Sequence, residues 1–200
     1  MKKLLIETNH FKPINSMLTE NVNKENGNLI VSGILATAEV KNGNGRYYSR
    51  SLWEREMDKY VESIQQRRAM GELDHPESQV INLKNVSHLI TEHWWDGDNV
   101  MGKIEILPTP SGNILKELIK AGVTVGVSSR GMGSLEENGN VMEVQDDFEL
   151  LCWDFVSTPS NPGSYMTKLT EGKHIKTYDY TKVNNIIYEI LCSKGSCSLI

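Results

Sequence analysis

Strand-like stretches outnumber helical ones along this chain, and the two do not alternate. Leu29 to Val40 (LIVSGILATAEV) is long and rich in β-branched residues, the pattern of a buried strand. From Ser51 the period changes. Leu52, Trp53, Met57, Tyr60, Val61 and Ile64 recur at three- and four-residue spacing, an amphipathic helix that Ser49 or Ser51 can cap and that stops by Gly71. Residues 85–95 and 99–107 read as two strands joined at Asp96-Gly97-Asp98-Asn99, a hairpin. Ser111 to Ala121 puts Ile114, Leu115, Leu118 and Ile119 on one face of a short helix that Gly122 closes. Val123 to Gly133 follows, then a turn at Glu137-Asn138-Gly139-Asn140 and a long apolar strand ending near Val156. Thr158-Pro159-Ser160-Asn161-Pro162-Gly163 breaks the pattern. A doubly wound parallel sheet needs strands and helices in alternation, so this order argues against one. The expectation is a mainly β, α+β fold, a β-barrel or sandwich carrying two or three helices, the third from Val183 to Cys192.

A chain of 200 residues supplies the core of one domain and is short for two. Residues 9–28 are rich in Asn, Lys and Glu and read as a loop or mobile arm; residues 167–200 read as a polar tail. A net charge of -5 argues against a broad basic surface, and so against nucleic acid as a partner. No apolar run approaches the length of a membrane span. Leu4-Leu5-Ile6 is too short an apolar stretch before Glu7 for a signal peptide, which points to a cytoplasm. Cys152 reads as a small core residue, and Cys192 and Cys197 as free thiols on the tail. No ligand cluster of His-Glu-x-x-His or zinc-type spacing accompanies them, so a metal site is not expected.

Three places carry candidate chemistry. Gly126-Val127-Ser128-Ser129-Arg130-Gly131 sets two hydroxyls beside an arginine, bracketed by glycines that let backbone N–H groups approach a bound group. It is neither the Gly-x-Ser-x-Gly elbow nor a phosphate loop, and alone it reads more simply as a serine-rich turn. His75 lies in Gly71-Glu72-Leu73-Asp74-His75-Pro76, kept off any helix by Pro76 and near the acids Glu72 and Asp74. A serine nucleophile needs a base whose pKa lies near neutrality, and a loop histidine can serve. His10 and His174 lie in polar end segments. His88 and His93 fall in a strand beside Trp94 and Trp95, where packing is the simpler role. Asp154 interrupts the apolar run from Leu150 to Val156. A carboxylate there wants a partner, and histidine is one; a strand-end Asp facing water is an equal reading.

In order, these segments resemble the prohead core protein proteases of T-even-like tailed phages. Leu4-Leu5-Ile6-Glu7-Thr8, Ala38-Glu39-Val40, Arg46-Tyr47, the Gly71–Pro76 histidine segment and Trp94-Trp95 are similar. So are Gly126–Gly131 followed by Gly133-Ser134, and Asp154-x-Val156-x-x-Pro159-Ser160-x-Pro162. The likeness spans roughly residues 4–166, and residues 1–166 would be the protease domain. It implies an assemblin-like β-barrel ringed by helices, with Ser128 as nucleophile and His75 as base. For the third member Asp154 is at the matching place, with His88 as the fallback, since assemblins use a second histidine. Ser129, Arg130 and Gly131 would shape the oxyanion site. It also implies an endopeptidase that needs no cofactor and acts inside the prohead in the host cytoplasm. Its substrates would be phage scaffold and capsid proteins, cut after Glu in Ile/Leu-x-Glu contexts, with self-association open. It would cut itself too, and Leu169-Thr170-Glu171 before Gly172 fits that pattern. The rival readings are a catalytically silent assembly protein of the same fold, and another hydrolase using the same dyad.

Overall fold

The computed structural model describes residues 2–6, 21–22, 26–76, 78–157 and 165–168. In chain order the elements are β1 (Lys3–Ile6), β2 (Asn21–Val22), β3 (Leu29–Thr37), β4 (Arg46–Tyr47), α1 (Arg50–Gln65), β5 (Met70–Glu72), β6 (Val86–Asp96) and β7 (Asn99–Ile106). Then come α2 (Pro110–Lys120), β8 (Val125–Gly133), β9 (Leu135–Asn138), β10 (Val141–Val144), β11 (Glu149–Val156) and β12 (Tyr165–Lys168). The main sheet runs β1-β8-β12-β3-β7-β6-β5, with β11 also on β8 and β2 on β3; β4, β10 and β9 form a small second sheet.

The main sheet curls. Register shifts between Ile34 and Ala36, Ile90 and Glu92, and Gly71 and Glu72 bend its strands and raise their twist. The curl carries β5 round to β11, where Leu73 makes one parallel bridge to Phe155 and the Asp74 N–H donates to the Phe155 carbonyl at 2.8 Å. One bridge is not a ladder, so the expected barrel is not closed. Among the described residues the fold is mostly β with two helices, the two that the hydrophobic periods indicated there.

Helix α1 covers the core because its apolar residues recur on one face. Leu52, Trp53, Met57 and Tyr60 are buried there, and Ser49 caps the first turn by accepting from the Leu52 N–H. Leu52 and Met57 are each 1% exposed, worth about 2 kcal/mol apiece by burial. Trp53 stacks on Trp153 of β11 with ring centroids 5.3 Å apart, and Tyr48 and Phe148 complete the aromatic group. Helix α2 begins at Pro110, capped by Thr109, whose hydroxyl accepts from the Gly112 N–H.

Two strands depart from the expected organisation. Gly71-Glu72 belongs to β5 and not to a loop. Tyr165–Lys168, across the start of the expected polar tail, is β12: it pairs with β8 at Val125 and Gly126 and with β3 at Val31 and Ser32. The arm at 9–28 is described only at β2 and residues 26–28, and the third helix lies outside the described residues.

Candidate active site

The segment 126–131, which reads as a turn, is a buried strand. Val125–Gly133 forms β8, and β11 runs antiparallel beside it with Asp154 opposite Ser128 and Cys152 opposite Arg130. The register shift between Leu150 and Cys152 sets that alignment. Because side chains alternate across a strand, Ser128, Arg130, Cys152 and Asp154 share one face, while Ser129 and Trp153 share the other, toward α1.

The Gly71–Pro76 segment covers the polar face. His75 Nδ1 donates to Asp154 Oδ2 at 2.8 Å, a direction fixed by chemistry since the carboxylate only accepts. The ring is nearly enclosed, its side chain 4% exposed, and Nε2 is buried without a hydrogen-bond partner among the described residues. With Nδ1 carrying the hydrogen, Nε2 keeps its lone pair. The turn that aims the ring runs through Asp74, whose φ of 70° lies in the left-handed region; Asp and Asn tolerate it better than other non-glycine residues. Asp74 Oδ1 also accepts from the His75 N–H at 3.1 Å. Gly71 admits no side chain: a Cβ would lie 2.0 Å from the Trp153 carbonyl and 2.3 Å from His88 Nε2.

Asp154 does not face water. It is fully buried, and four donors converge on it: His75 on Oδ2, and on Oδ1 the Glu72 N–H at 2.9 Å, Arg130 Nη2 at 3.3 Å and the Cys152 thiol at 3.4 Å. Burial works to raise its pKa, but the His75 hydrogen bond, the Glu72 N–H and the Arg130 charge together hold it below the usual carboxylate value. Arg130 also donates to Glu72 Oε2 and to the Ser78 carbonyl. Its guanidinium is therefore turned to the carboxylates. Any oxyanion contact from this stretch falls to backbone N–H groups, not to that side chain.

The structure thus brings His75, Asp154 and Arg130 together and puts Ser128, 2% exposed, on the same face. Ser129 points to the opposite face. Gly131 makes room for Phe148, whose ring atoms would meet a Cβ at 2.5 Å. His88 is committed elsewhere: Nε2 donates to the Trp153 carbonyl at 3.0 Å and Nδ1 accepts from Ser87 Oγ at 2.8 Å. Burial lowers its pKa to about 4, so it is neutral near pH 7. Glu171 and Gly172 lie outside the described residues. Sequence reasoning noticed Glu72 only as an acid near His75 and missed its pairing with Arg130. The available signal was an arginine inside a glycine-rich strand, which requires a counter-charge if buried. An apolar cleft of about 250 Å³ opens beside the His75 turn, lined by Leu73, Leu118, Val123, Val125, Phe155 and Val156 among others. Among the described residues no cluster of His, Cys, Asp and Glu suits a metal ion, and no helix is long and apolar enough to cross a membrane.

Comparison with known proteins gives a consistent result. The sequence profile of the family described as prohead core protein serine protease matches residues 8–174. The prohead core protein protease of Enterobacteria phage T4 is 34% identical over 152 residues, covering 72% of each chain. The solved structure of the bacteriophage T4 capsid assembly protease superposes with a TM-score of 0.71 at 29% identity, covering 79% of this chain and 99% of that one.

Proposed function

Because the chain belongs to the prohead core protein serine protease family, we propose that it is a maturation endopeptidase in which Ser128 is the nucleophile, His75 the general base and Asp154 the carboxylate that orients it. The observation that carries this is the 2.8 Å hydrogen bond from His75 Nδ1 to Asp154, with Nε2 unpartnered among the described residues and Ser128 on the same sheet face. Ser128 attacks the scissile carbonyl as Nε2 takes its proton. The imidazolium, steadied by Asp154, then protonates the leaving amine, and water releases the acyl-enzyme by the same route. Arg130 and Gly131 are paired on both edges, by β1 and β11, so of the stretch Ser129–Gly131 the Ser129 backbone N–H is the proposed donor to the oxyanion.

The substrates in this reading are scaffold and capsid precursors inside the prohead, within the host cytoplasm, and the protease itself. Cleavage follows Glu in Ile/Leu-x-Glu contexts, and the apolar cleft beside His75 is a suitable receptor for the Ile or Leu side chain. An assemblin-like architecture belongs to the same proposal, supported by a curled sheet with two helices packed against its core.

The test is cleavage of a peptide containing Ile-x-Glu-Ala by the parent protein and by Ser128→Ala, His75→Ala and Ser129→Ala. Losses of about a thousandfold or more are expected for the first two, with Ser129→Ala retaining activity. Turnover of a small ester without peptide cleavage would identify a different hydrolase. Inactivity even on co-assembled scaffold would identify a silent assembly protein.

A further inference from the structure

Behind His75 lies a buried group of three ionised side chains whose charges do not cancel. Glu72, Arg130 and Asp154 are each 0% exposed. Arg130 Nη2 donates to Glu72 Oε2 at 2.5 Å, and its Nε lies 2.9 Å from Asp154 Oδ2. The backbone ties the group together: the Glu72 N–H donates to Asp154, and Glu72 Oε1 accepts from the Asn82 N–H at 3.2 Å. Two carboxylates and one guanidinium leave a single negative charge. A buried Arg–Asp pair alone would be neutral and would offer little to a cation forming on His75. With Glu72 present, protonation of His75 brings the buried group to neutrality.

We propose that Glu72 is a positioning residue for the proteolytic reaction: by neutralising Arg130, it leaves the charge of Asp154 uncancelled for the imidazolium that forms on His75. This rests on His75 and Asp154 acting as base and orienting carboxylate. Arg130 in turn fixes both carboxylates and, through Ser78, the segment after His75. The titratable and charged groups around the His75–Asp154 pair are Cys152 on β11, Arg130 on β8, Glu72 on β5, His88 on β6, Tyr60 on α1, and Asp74 beside His75. Burial keeps His88 neutral, Tyr60 a phenol and Cys152 a thiol. Asp74 is exposed to solvent, which screens it. The balance therefore falls to Glu72, Arg130 and Asp154.

The test titrates the His75 imidazole by NMR in a Ser128→Ala background, which prevents self-digestion. Glu72→Gln is expected to lower the titration midpoint by about one unit, the effect of one charge at under 10 Å in a medium of effective dielectric near 20. Arg130→Gln is expected to raise it by about as much, and the double variant to return it close to the parent. A merely structural role for Glu72 predicts no such reversal. If Glu72→Gln does not fold, the comparison of the double variant with Arg130→Gln carries the test, since it isolates the Glu72 charge and should lower the midpoint by about one unit. Midpoints that stay put in the folded variants overturn the proposal. Peptide cleavage by the same substitutions on the Ser128 protein separates the two layers. If the midpoints follow the pattern but His75→Ala still cuts, the base assignment fails and the charge balance stands. If His75→Ala is dead and the midpoints do not move, the charge balance fails alone.

Discussion

His88 illustrates how a residue unsuited to one role is used for another. Its ring packs edge-on against Phe155 and donates to the Trp153 carbonyl across Gly71, so it locks β6, β5 and β11 together beside the site. Burial lowers its pKa to about 4 from an ordinary 6.5. The unfolded chain therefore takes up a proton below pH 6.5 that the folded chain refuses until about pH 4, and stability falls as pH falls through that window. The loss is roughly 3 kcal/mol. Asp154 acts lower down: its depressed pKa contributes stability that is present above the ordinary carboxylate value and lost as pH falls through the folded one. Urea unfolding of the Ser128→Ala protein should show both limbs. His88→Gln should flatten the limb between pH 6.5 and 4 by most of that amount; His93, also lowered by burial, leaves a smaller slope in both proteins. An unchanged limb in His88→Gln would assign the acid sensitivity elsewhere. At this scale the sequence showed which residues carried polar chemistry but not their partners. An Asp in an apolar run demands a partner, and Asp154 has four donors. Nothing local says that Arg130, two residues beyond Ser128, faces that carboxylate, because the pairing depends on a bulge in β11.

The elements were legible wherever a hydrophobic period ran long enough. Helix α1, expected from Ser51 with Ser49 or Ser51 as cap, begins at Arg50 with Ser49 as cap; the hairpin at Asp96–Asn99 joins β6 to β7 as its turn residues indicated. Short strands were not legible. β1 and β5 are four and three residues long, and their pairing is decided by distant partners, Gly133 to Arg130 for one and Leu89 to Val86 for the other. Yet β5 brings Glu72 under Asp154, so the least visible element positions the site. The cleft is likewise a product of assembly, its walls coming from the β5 turn, α2, β8 and β11. Val123, 46% exposed, stands on its wall. Val123→Asp should raise KM for an Ile-x-Glu-Ala peptide about five- to tenfold, consistent with losing roughly 1 kcal/mol of apolar contact, and should leave kcat near the parent. An unchanged KM would place the Ile side chain elsewhere. A fall in kcat with no change in KM would implicate the neighbouring His75 turn.

The whole molecule is held as one sheet by strands far apart in sequence, and β12 is the last stitch among the described residues. Tyr165 and Met166 pair with β8 two and three residues before Ser128, and Thr167 and Lys168 pair with β3. This strand joins the two halves of the main sheet, so it belongs to the folded unit although the break at Thr158–Gly163 made it look like the root of a tail. Its position bears on self-cleavage. The bond after Glu171 lies beyond Lys168, so cutting there removes residues 172–200 and leaves every described ladder in place. A cut before Tyr165 would remove both β12 ladders. Mass spectrometry of the incubated parent protein should show a species ending at Glu171, and Ser128→Ala should stay intact. A chain ending at Glu171 should melt within about 2 °C of the full-length Ser128→Ala protein. One ending at Gly163 should melt roughly 5–10 °C lower, the shift expected for a few kcal/mol in a domain of this size. Intact parent chain alongside cleaved scaffold would remove self-processing from the proposed function while leaving the protease intact. A truncated species with the stability of the 163-residue chain would mean that processing dismantles the sheet that holds Ser128, turning maturation into self-inactivation.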